Sequence, residues 1–290
     1  MRFAFISEYA QEHSIALMCA VLEVSRSGYY RFRRHLMSAH ATANVRLLEE
    51  IRLVHQASRG TYGSPRIHRE LIKRGRACGR HRVARLMAKE GIVAKARCRY
   101  RTTTKQNPGA KAAPDLLQRT FSALRPHHIW TSDITYIWTE EGWLYLAVVL
   151  DVFSRAIVGW ATSALINADL VCMALQRAVW QYRPGLWVII HSDRGSQYTS
   201  RKFRSLLSAQ EAYCIPSNGL SCYDNAVTET FFHTLKTEAI HGERFLTREQ
   251  AHQHLFDYIE RFYNNNRLHS SLGYHTPREM LLGLINNIAA

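Results

Sequence analysis

Eight consecutive apolar residues, Trp143 to Leu150, form the longest uninterrupted apolar run in the chain, and it continues as Asp151-Val152-Phe153. A helix across a bilayer needs roughly 18 such residues, so this run belongs inside a protein core. Near-continuous apolarity over so short a length is the mark of a central strand covered on both faces. The flanking segments supply the rest of a sheet. Within Ile129–Trp138, Ile134, Tyr136 and Trp138 alternate with Asp133, Thr135 and Ile137, which is strand periodicity. Glu140-Glu141-Gly142 makes a turn, and a third strand is expected over Ala156–Thr162. Residues 168–182 read as a helix with Val171, Leu175, Ala178 and Tyr182 on one face. A fourth strand, Leu186–Ile190, leads into His191-Ser192-Asp193; a helix over 201–211, a short strand over 212–216 and a helix over 224–240 follow. Three strands in hairpin order, then alternating helices and strands, predict a mixed five-stranded α/β sheet. The stretch 247–285 reads as helical in two pieces, broken near Asn264-Asn265-Asn266 and Gly273.

The first part of the chain has a different character. Residues 1–35 read as two short helices, the first lined by Ile15, Leu17, Met18, Val21 and Leu22, the second capped by Ser25 and beginning Arg26-Ser27-Gly28. Over 42–92, Val45, Leu48, Ile51, Leu53 and Val54 recur with helical period. Gly60-Thr61-Tyr62-Gly63-Ser64-Pro65 breaks the chain, and Pro65 suits the first turn of a helix carrying Ile67, Leu71 and Ile72. A turn between Gly75 and Gly79 precedes a third helix with Val83, Leu86 and Met87. Arg66, Arg69, Lys73 and Arg74 decorate one of these helices, and Arg80, Arg82, Arg85 and Lys89 the next. Two helices across a Gly-containing turn, the second rich in arginine, are what a helix-turn-helix requires.

Charge sharpens the division. The net charge is +15; residues 1–125 carry 25 Lys and Arg against 8 Asp and Glu, whereas residues 126–290 carry 13 against 15. A basic module joined to a nearly neutral one points to polyanion binding by the first part. Hydrophobic residues at 47% and charged residues at 21% exclude a disordered chain, a collagen-like chain and a coiled-coil rod. The basic stretch around Arg97, Arg99, Arg101 and Lys105, followed by Asn107-Pro108-Gly109, has the makeup of a linker. Six cysteines without a Cys-x-x-Cys pair argue for reduced thiols over a disulfide framework or zinc site. No apolar signal-peptide region follows Met1, so the expectation is a cytoplasmic protein with no membrane partner. The expected division is 1–40 helix-turn-helix segment, 41–95 basic three-helix unit, 96–125 linker, 126–245 α/β core and 246–290 helical extension.

Three carboxylates stand out in the neutral part. Asp133 lies in the first strand, Asp193 just beyond the fourth, and Glu229 in a helix with 35 residues between it and Asp193. Two carboxylates about 4 Å apart repel by roughly 4 kcal/mol at an effective dielectric near 20, a penalty that a divalent cation converts into a binding site. Hard oxygen donors without a soft ligand favour Mg²⁺ or Mn²⁺, and a pair of such ions suits phosphoryl transfer. On the helix, Asn225, Glu229, His233 and Lys236 share one face while Val227, Phe231 and Leu235 share another. A polar face of this kind suits a nucleic-acid backbone, although a plain amphipathic surface helix has the same pattern.

Several segments together carry a resemblance. Val24-Ser25-Arg26-Ser27-Gly28-Tyr29-Tyr30, Gly60 to Ile67, Trp130 to Tyr136, Gly142 to Ala147 with Asp151 to Arg155, His191-Ser192-Asp193-Arg194-Gly195, Tyr223 to Ala226 with Glu229 to Lys236, and Tyr263-Asn264 with Arg267 to Tyr274 occur in order along nearly the whole chain. In these the chain resembles the second-frame (OrfB) proteins of bacterial insertion-sequence transposases, whose catalytic core is ribonuclease H-like and integrase-like. Pro216 to Cys222 is only loosely similar to that family's usual loop. The resemblance implies a DDE-type enzyme that cleaves and transfers strands at element ends. Asp133, Asp193 and Glu229 would be its catalytic and metal-holding triad, with two Mg²⁺ (or Mn²⁺) ions. It implies DNA contacts by Lys236, His233 and Asn225. Arg26, Arg66, Arg69, Lys73, Arg80, Arg82 and Arg85 are the candidate contacts of the basic module. Implied partners are double-stranded DNA, as terminal repeats and target, further copies of the chain on DNA, and a first-frame protein or a frameshift fusion with it. The expected location is the bacterial cytoplasm at the nucleoid. Two other readings stay open on the residues alone: a DNA-binding regulator with an inert core, and a ribonuclease H-like nuclease.

Overall fold

The computed structural model describes residues 1–34, 38–95, 123–184, 188–193, 195–209, 214–218 and 226–283. The chain divides into two compact units, one of residues 1–57 and 63–93, the other of residues 58–62 and 94–290.

The first unit is helical. Three short helices, α1 (Arg2–Glu8), α2 (Ile15–Val21) and α3 (Arg26–Arg33), open it, where the apolar pattern had suggested two. They enclose a small core of Ile6, Met18, Cys19 and Tyr29. Leu17 and Val21, expected in that core, are exposed, because a helix of seven residues buries only one narrow stripe. Ser25 does cap α3, accepting from Gly28 N at 3.1 Å. Then come α4 (Ala39–Ala57), α5 (Ser64–Lys73) and α6 (Arg80–Lys89). They meet through Leu47, Ile51 and Val54, Ile67 and Leu71, and Val83, Leu86 and Met87; Val45 and Leu53, one position off that stripe, face solvent. Pro65 sits in the first turn of α5.

The second unit is built on a sheet of β1 (Ile129–Thr139), β2 (Gly142–Asp151), β3 (Ile157–Ser163), β4 (Val188–Ser192) and β5 (Cys214–Asn218), in the order β3-β2-β1-β4-β5. β1, β2 and β3 are antiparallel neighbours, whereas β4 lies parallel to β1 and β5 parallel to β4. β4 reaches two residues beyond the end that the apolar pattern suggested, taking in His191 and Ser192, and β5 likewise reaches Asn218; the expected beginnings of both strands lie outside the described residues. Pro216 is tolerated there because β5 is an edge strand.

Each face of the sheet has its cover. α7 (Ala168–Tyr182) lays Val171, Leu175 and Ala178 against Trp130, Ala147, Val149 and Val158, and Phe203 and Leu207 of α8 (Arg201–Ala209) extend that core. Gly159 allows the close approach: a Cβ there would lie 2.3 Å from the Ala174 carbonyl oxygen. The opposite face meets α9 (Ala226–Leu235) and α10 (Arg248–Phe256), whereas α11 (Pro277–Leu281) places Leu281 in the core on the α7 side. Trp160 rests against His252 and Phe256, and Asn264 braces β3 by accepting from Ile157 N and donating to its carbonyl. β2 is thereby buried on both faces from Leu146 to Asp151, as its continuous apolarity requires. α9 and α10 do not end as α-helices; each widens into a π-helical stretch, Lys236–Ile240 and Asp257–Tyr263.

The strap Ser58–Tyr62 clusters with this second unit, although it had been expected within the basic three-helix unit. The Tyr62 hydroxyl accepts from Leu268 N at 2.7 Å and donates to the Asn266 carbonyl at 2.9 Å. Arg59 pairs with Asp257 at 2.8 Å and stacks over Phe262. These are burials that chain order alone does not reveal.

Candidate active site

Asp133 lies on the face of β1 that also carries Thr131, Thr135 and Ile137, the face turned to α9. The parallel pairing of β1 with β4 matches Thr131 to His191 and Ser132 to Ser192, so the next residue of each strand, Asp133 and Asp193, falls side by side at the point where β4 ends. Parallel neighbours run about 4.8 Å apart, which explains why two acids 60 positions apart in number become neighbours. α9 delivers Glu229. The preceding residue, Thr228, is buried, and its hydroxyl meets the Thr131 hydroxyl at 2.7 Å. That bond pins the first turn of α9 to the same face of β1 two residues before Asp133.

The electrostatics single out Asp133. Burial pushes its carboxyl from the ordinary 3.8 up to about 7; the charges of Asp193 and Glu229 add to the rise, while a hydrogen bond from Ile134 N (2.7 Å) and the charge of Lys236 oppose it. Other buried acids have local partners. Asp151 accepts from His127 N, Ser154 N and Ser154 Oγ at 2.6–2.8 Å. Glu238 is held by Arg267 and Tyr258. Asp133 has one backbone amide and two like charges. Asp193 is exposed, and Gly195 N donates to its Oδ1 at 3.0 Å. A Cβ on Gly195 would stand 3.0 Å from that same oxygen, so the glycine lets the loop wrap the carboxylate. Glu229 is exposed as well.

The helix face expected around Glu229 is present in part. His233 and Lys236 are half-buried, and His233 Nδ1 lies 3.5 Å from the Thr237 hydroxyl. Burial holds the Lys236 ammonium below its usual range, with Asp133 acting against the shift. The inward stripe of α9 is Thr228, Phe231, Phe232 and Leu235; Val227, expected to be part of it, is only half-buried. Asn225 lies outside the described residues, as do the loop before it and Arg97, Arg99, Arg101 and Lys105 of the linker. In the helical unit Arg26, Arg69, Lys73, Arg80 and Arg85 are exposed and Arg66 is half-buried. Arg82 is used internally, its Nε donating to Asn44 Oδ1 at 2.8 Å.

Two supporting residues escaped the sequence reading. The Ser132 hydroxyl donates to the Val148 carbonyl at 2.9 Å, leaving its oxygen to accept from the fully buried Tyr198 hydroxyl at 3.0 Å. This ties the loop after Asp193 to β1 directly beneath the carboxylates. A serine at the inward position between Trp130 and Ile134 was the available signal.

Among the described residues no three His, Cys, Asp or Glu side chains converge closely enough to hold an ion as they stand. The donor set itself fits a hard divalent cation: three carboxylates, no thiol and no imidazole, with the most buried one carrying a penalty that positive charge would relieve.

A mixed sheet of this order, with helices on both faces, one acid within its central strand and another just past the end of the strand beside it, defines a ribonuclease H-like, integrase-type core. Residues 123–213 match the family described as integrase core domain, residues 229–280 a second family of the same description, and residues 42–101 one described as HTH-like domain. The chain is 39% identical over 281 residues to "Transposase InsF for insertion sequence IS3A" of Escherichia coli (strain K12), covering 96% of this chain and 98% of the relative. It is 40% identical over 260 residues to "Insertion element IS600 uncharacterized 31 kDa protein" of Shigella sonnei, covering 90% and 96%. Among solved structures it is similar to the catalytic core domain of HTLV-2 integrase in complex with magnesium (dimeric form), at 17% identity and TM-score 0.39 over 55% of this chain and 98% of that one. It is also similar to a chain of the simian T-cell lymphotropic virus intasome in complex with the PP2A regulatory subunit B56 gamma, at 15% identity and TM-score 0.46 over 83% and 76%. The chain belongs to the IS3 family of insertion-sequence transposases. Its chemistry is DDE-type phosphoryl transfer on DNA. No described helix is long and apolar enough to cross a membrane.

Proposed function

We propose that Asp133, Asp193 and Glu229 are the catalytic carboxylates of this transposase and together hold two Mg²⁺ or Mn²⁺ ions. What supports this most is Asp133, a half-buried carboxyl pushed up to about 7 with two more acids as its charged neighbours. The cations, when bound, would supply positive charge to the attacking and leaving oxygens of the phosphodiester. Water attacks at the element end and frees a 3′-OH, which then attacks a second strand. Thr131 and Thr228 hold Glu229 against β1, and Ser132 and Tyr198 hold the loop of Asp193. Lys236, His233 and Asn225 touch the DNA near the scissile bond. Arg26, Arg66, Arg69, Lys73, Arg80 and Arg85 carry the phosphate contacts of the helical unit, in which residues 1–40 and 41–95 act as separate DNA-binding parts. Residues 126–245 form the catalytic part, and the linker 96–125 and the extension 246–290 flank it.

The DNA bound is the terminal repeat and then the target. The working form is an oligomer on DNA, assembled with or fused to a first-frame protein, in the bacterial cytoplasm at the nucleoid. The test is metal-dependent nicking and joining of element ends by the purified full chain. Asp133→Asn, Asp193→Asn and Glu229→Gln should each abolish both while DNA affinity stays within a few-fold. Substantial cleavage by any of the three removes that residue from the triad. Nicking without joining by the wild type would instead describe a nuclease, and neither would describe a regulator.

A further inference from the structure

On the other face of β1, three large aromatic side chains lie in the open. Tyr136, Trp138 and Trp143 are 55%, 56% and 43% exposed. They do not lie there singly: Trp143 contacts Tyr136 (5.0 Å between centroids, 80°) and Trp138 (4.8 Å, 75°). The strand register sets this up by pairing Trp138 with Trp143 and Tyr136 with Tyr145, which puts all of them on the α7 side of the sheet. Tyr145 is partly buried there against the main core, while the three rings project beyond it. Tyr136 and Trp138 are two residues apart on one face, so their Cα atoms stand about 7 Å apart, and Trp143 closes the β2 side.

The patch connects to the acidic site around an edge. β4 pairs with β1 only as far as Ser132, so among the described residues no strand lies on that side of β1 from Asp133 onward. Lys236 reaches across this edge: its Nζ lies 5.0 Å from the centroid of the Tyr136 ring, and its charge is felt by Asp133. Asp133 and Tyr136 are about 10 Å apart along the strand, one or two nucleotide steps. A cation against an aromatic face beside three exposed rings is the chemistry that receives unpaired nucleotides, with phosphate at the ammonium and bases on the rings.

We infer that Tyr136, Trp138 and Trp143 form a stacking platform for an unpaired base at the DNA end, which passes from the carboxylates over the open edge of β1 beside Lys236. The inference rests on the transposase reading for the identity of the ligand as DNA. A protein partner could also cover exposed rings, but it would leave unexplained why the patch is joined by a lysine to the reacting end of the sheet.

The test uses the full chain, without divalent metal, and one 20-base-pair duplex in two forms, blunt and with a three-nucleotide single-stranded tail ending in 2-aminopurine. The tailed duplex should bind about tenfold more tightly or better, with quenching of the 2-aminopurine fluorescence. Trp138→Ala and Trp143→Ala should remove that preference and the quenching while leaving blunt-duplex affinity unchanged. Trp138→Phe and Trp143→Phe, which keep a ring, should retain most of both. Equal wild-type affinity for the two duplexes without quenching overturns the inference, as does an equal loss for both duplexes in the alanine variants. Alanine variants that keep the tail preference but change the sedimentation of the free protein overturn it in favour of a protein interface. Loss of the catalytic reading is a separate outcome: it would show as cleavage that survives in Asp133→Asn, with the tail preference intact.

Discussion

Asp133→Asn is expected to stabilise the metal-free protein at alkaline pH and to do so less and less as the pH falls. In the wild type this carboxyl, ordinarily at 3.8, titrates near 7 in the fold. Between those values the folded protein keeps a proton that the unfolded chain has released. The stability contributed by the group therefore falls as pH rises through that window, and the full penalty is present above 7. An amide has no such titration, and its oxygen can still accept from Ile134 N. A shift of about 3 units at 1.36 kcal/mol each corresponds to roughly 4 kcal/mol. About two of those units fall between pH 5 and 8, and discounting for the partial exposure of Asp133 leaves roughly 2 kcal/mol. For a unit of this size that is about 4–8 °C in melting temperature. Thermal melts of both proteins in chelator from pH 5 to 8 should diverge by this amount, with the variant the more stable at pH 8. Millimolar Mg²⁺ at pH 8 should then raise the wild-type midpoint and narrow the gap. Parallel curves, with a difference that does not depend on pH, would refute the reasoning, because the raised carboxyl would then carry no penalty in the fold.

Lys236→Ala should weaken binding of element ends and lower the slope of log affinity against log salt by about one if Lys236 meets a phosphate; unchanged binding and unchanged cleavage would place it outside the site. Neutralising about 6 to 10 phosphates should make DNA binding by the full chain fall by roughly 10³–10⁵ between 50 and 200 mM salt, and a flat titration contradicts the electrostatic role of the helical unit. Gly159→Ala, whose Cβ would strike the Ala174 carbonyl and the Ala178 amide at 2.3 and 2.8 Å, should cost about 3 kcal/mol or more; a denaturant midpoint equal to wild type would mean that α7 can draw back freely. Glu238→Gln, which leaves the Arg267 guanidinium buried without its partner at 2.7 Å, should destabilise by about 3–5 kcal/mol, and a change below 1 kcal/mol in urea unfolding would contradict the pair's importance.

The parts of this molecule that obey short-range periodicity could be read before folding. The alternation in β1 and the apolar run of β2 follow from burial on one face and on two. Asp133, Asp193 and Glu229 are candidates in the sequence chiefly through the family resemblance of the segments around them, because a triad drawn from 23 acidic residues is weak by itself. What could not be read depends on contacts made across long separations. The hydroxyl pairs Thr131–Thr228 and Ser132–Tyr198 span 97 and 66 residues, and each member alone is an unremarkable polar side chain. The π-helical widening after Leu235 leaves no trace in the apolar pattern, since it shifts register by a single residue. The exposure of Tyr136 and Trp138 was hidden by the same alternation that revealed β1: sequence period assigns a residue to a face but not to the covered or uncovered end of it. α1 was missed because Phe3, Ile6 and Tyr9 meet α2 and α3 through too few residues to establish a period.

The strap around Tyr62 sets an order of events during synthesis. Its hydroxyl is satisfied by backbone groups of Asn266 and Leu268, which come 204 and 206 residues later. At about 5–20 residues per second, they leave the ribosome roughly 10–40 s after Tyr62 does. For that interval the Tyr62 hydroxyl lacks these two backbone groups, and Arg59 lacks Asp257 and Phe262 for nearly as long, however early the helices on either side have formed. A nascent chain that stops short of residue 266 therefore cannot complete the strap at all. Only a ribosome that has read past Leu268 releases a protein in which this joint is closed, so that products terminated before it are marked by an open one.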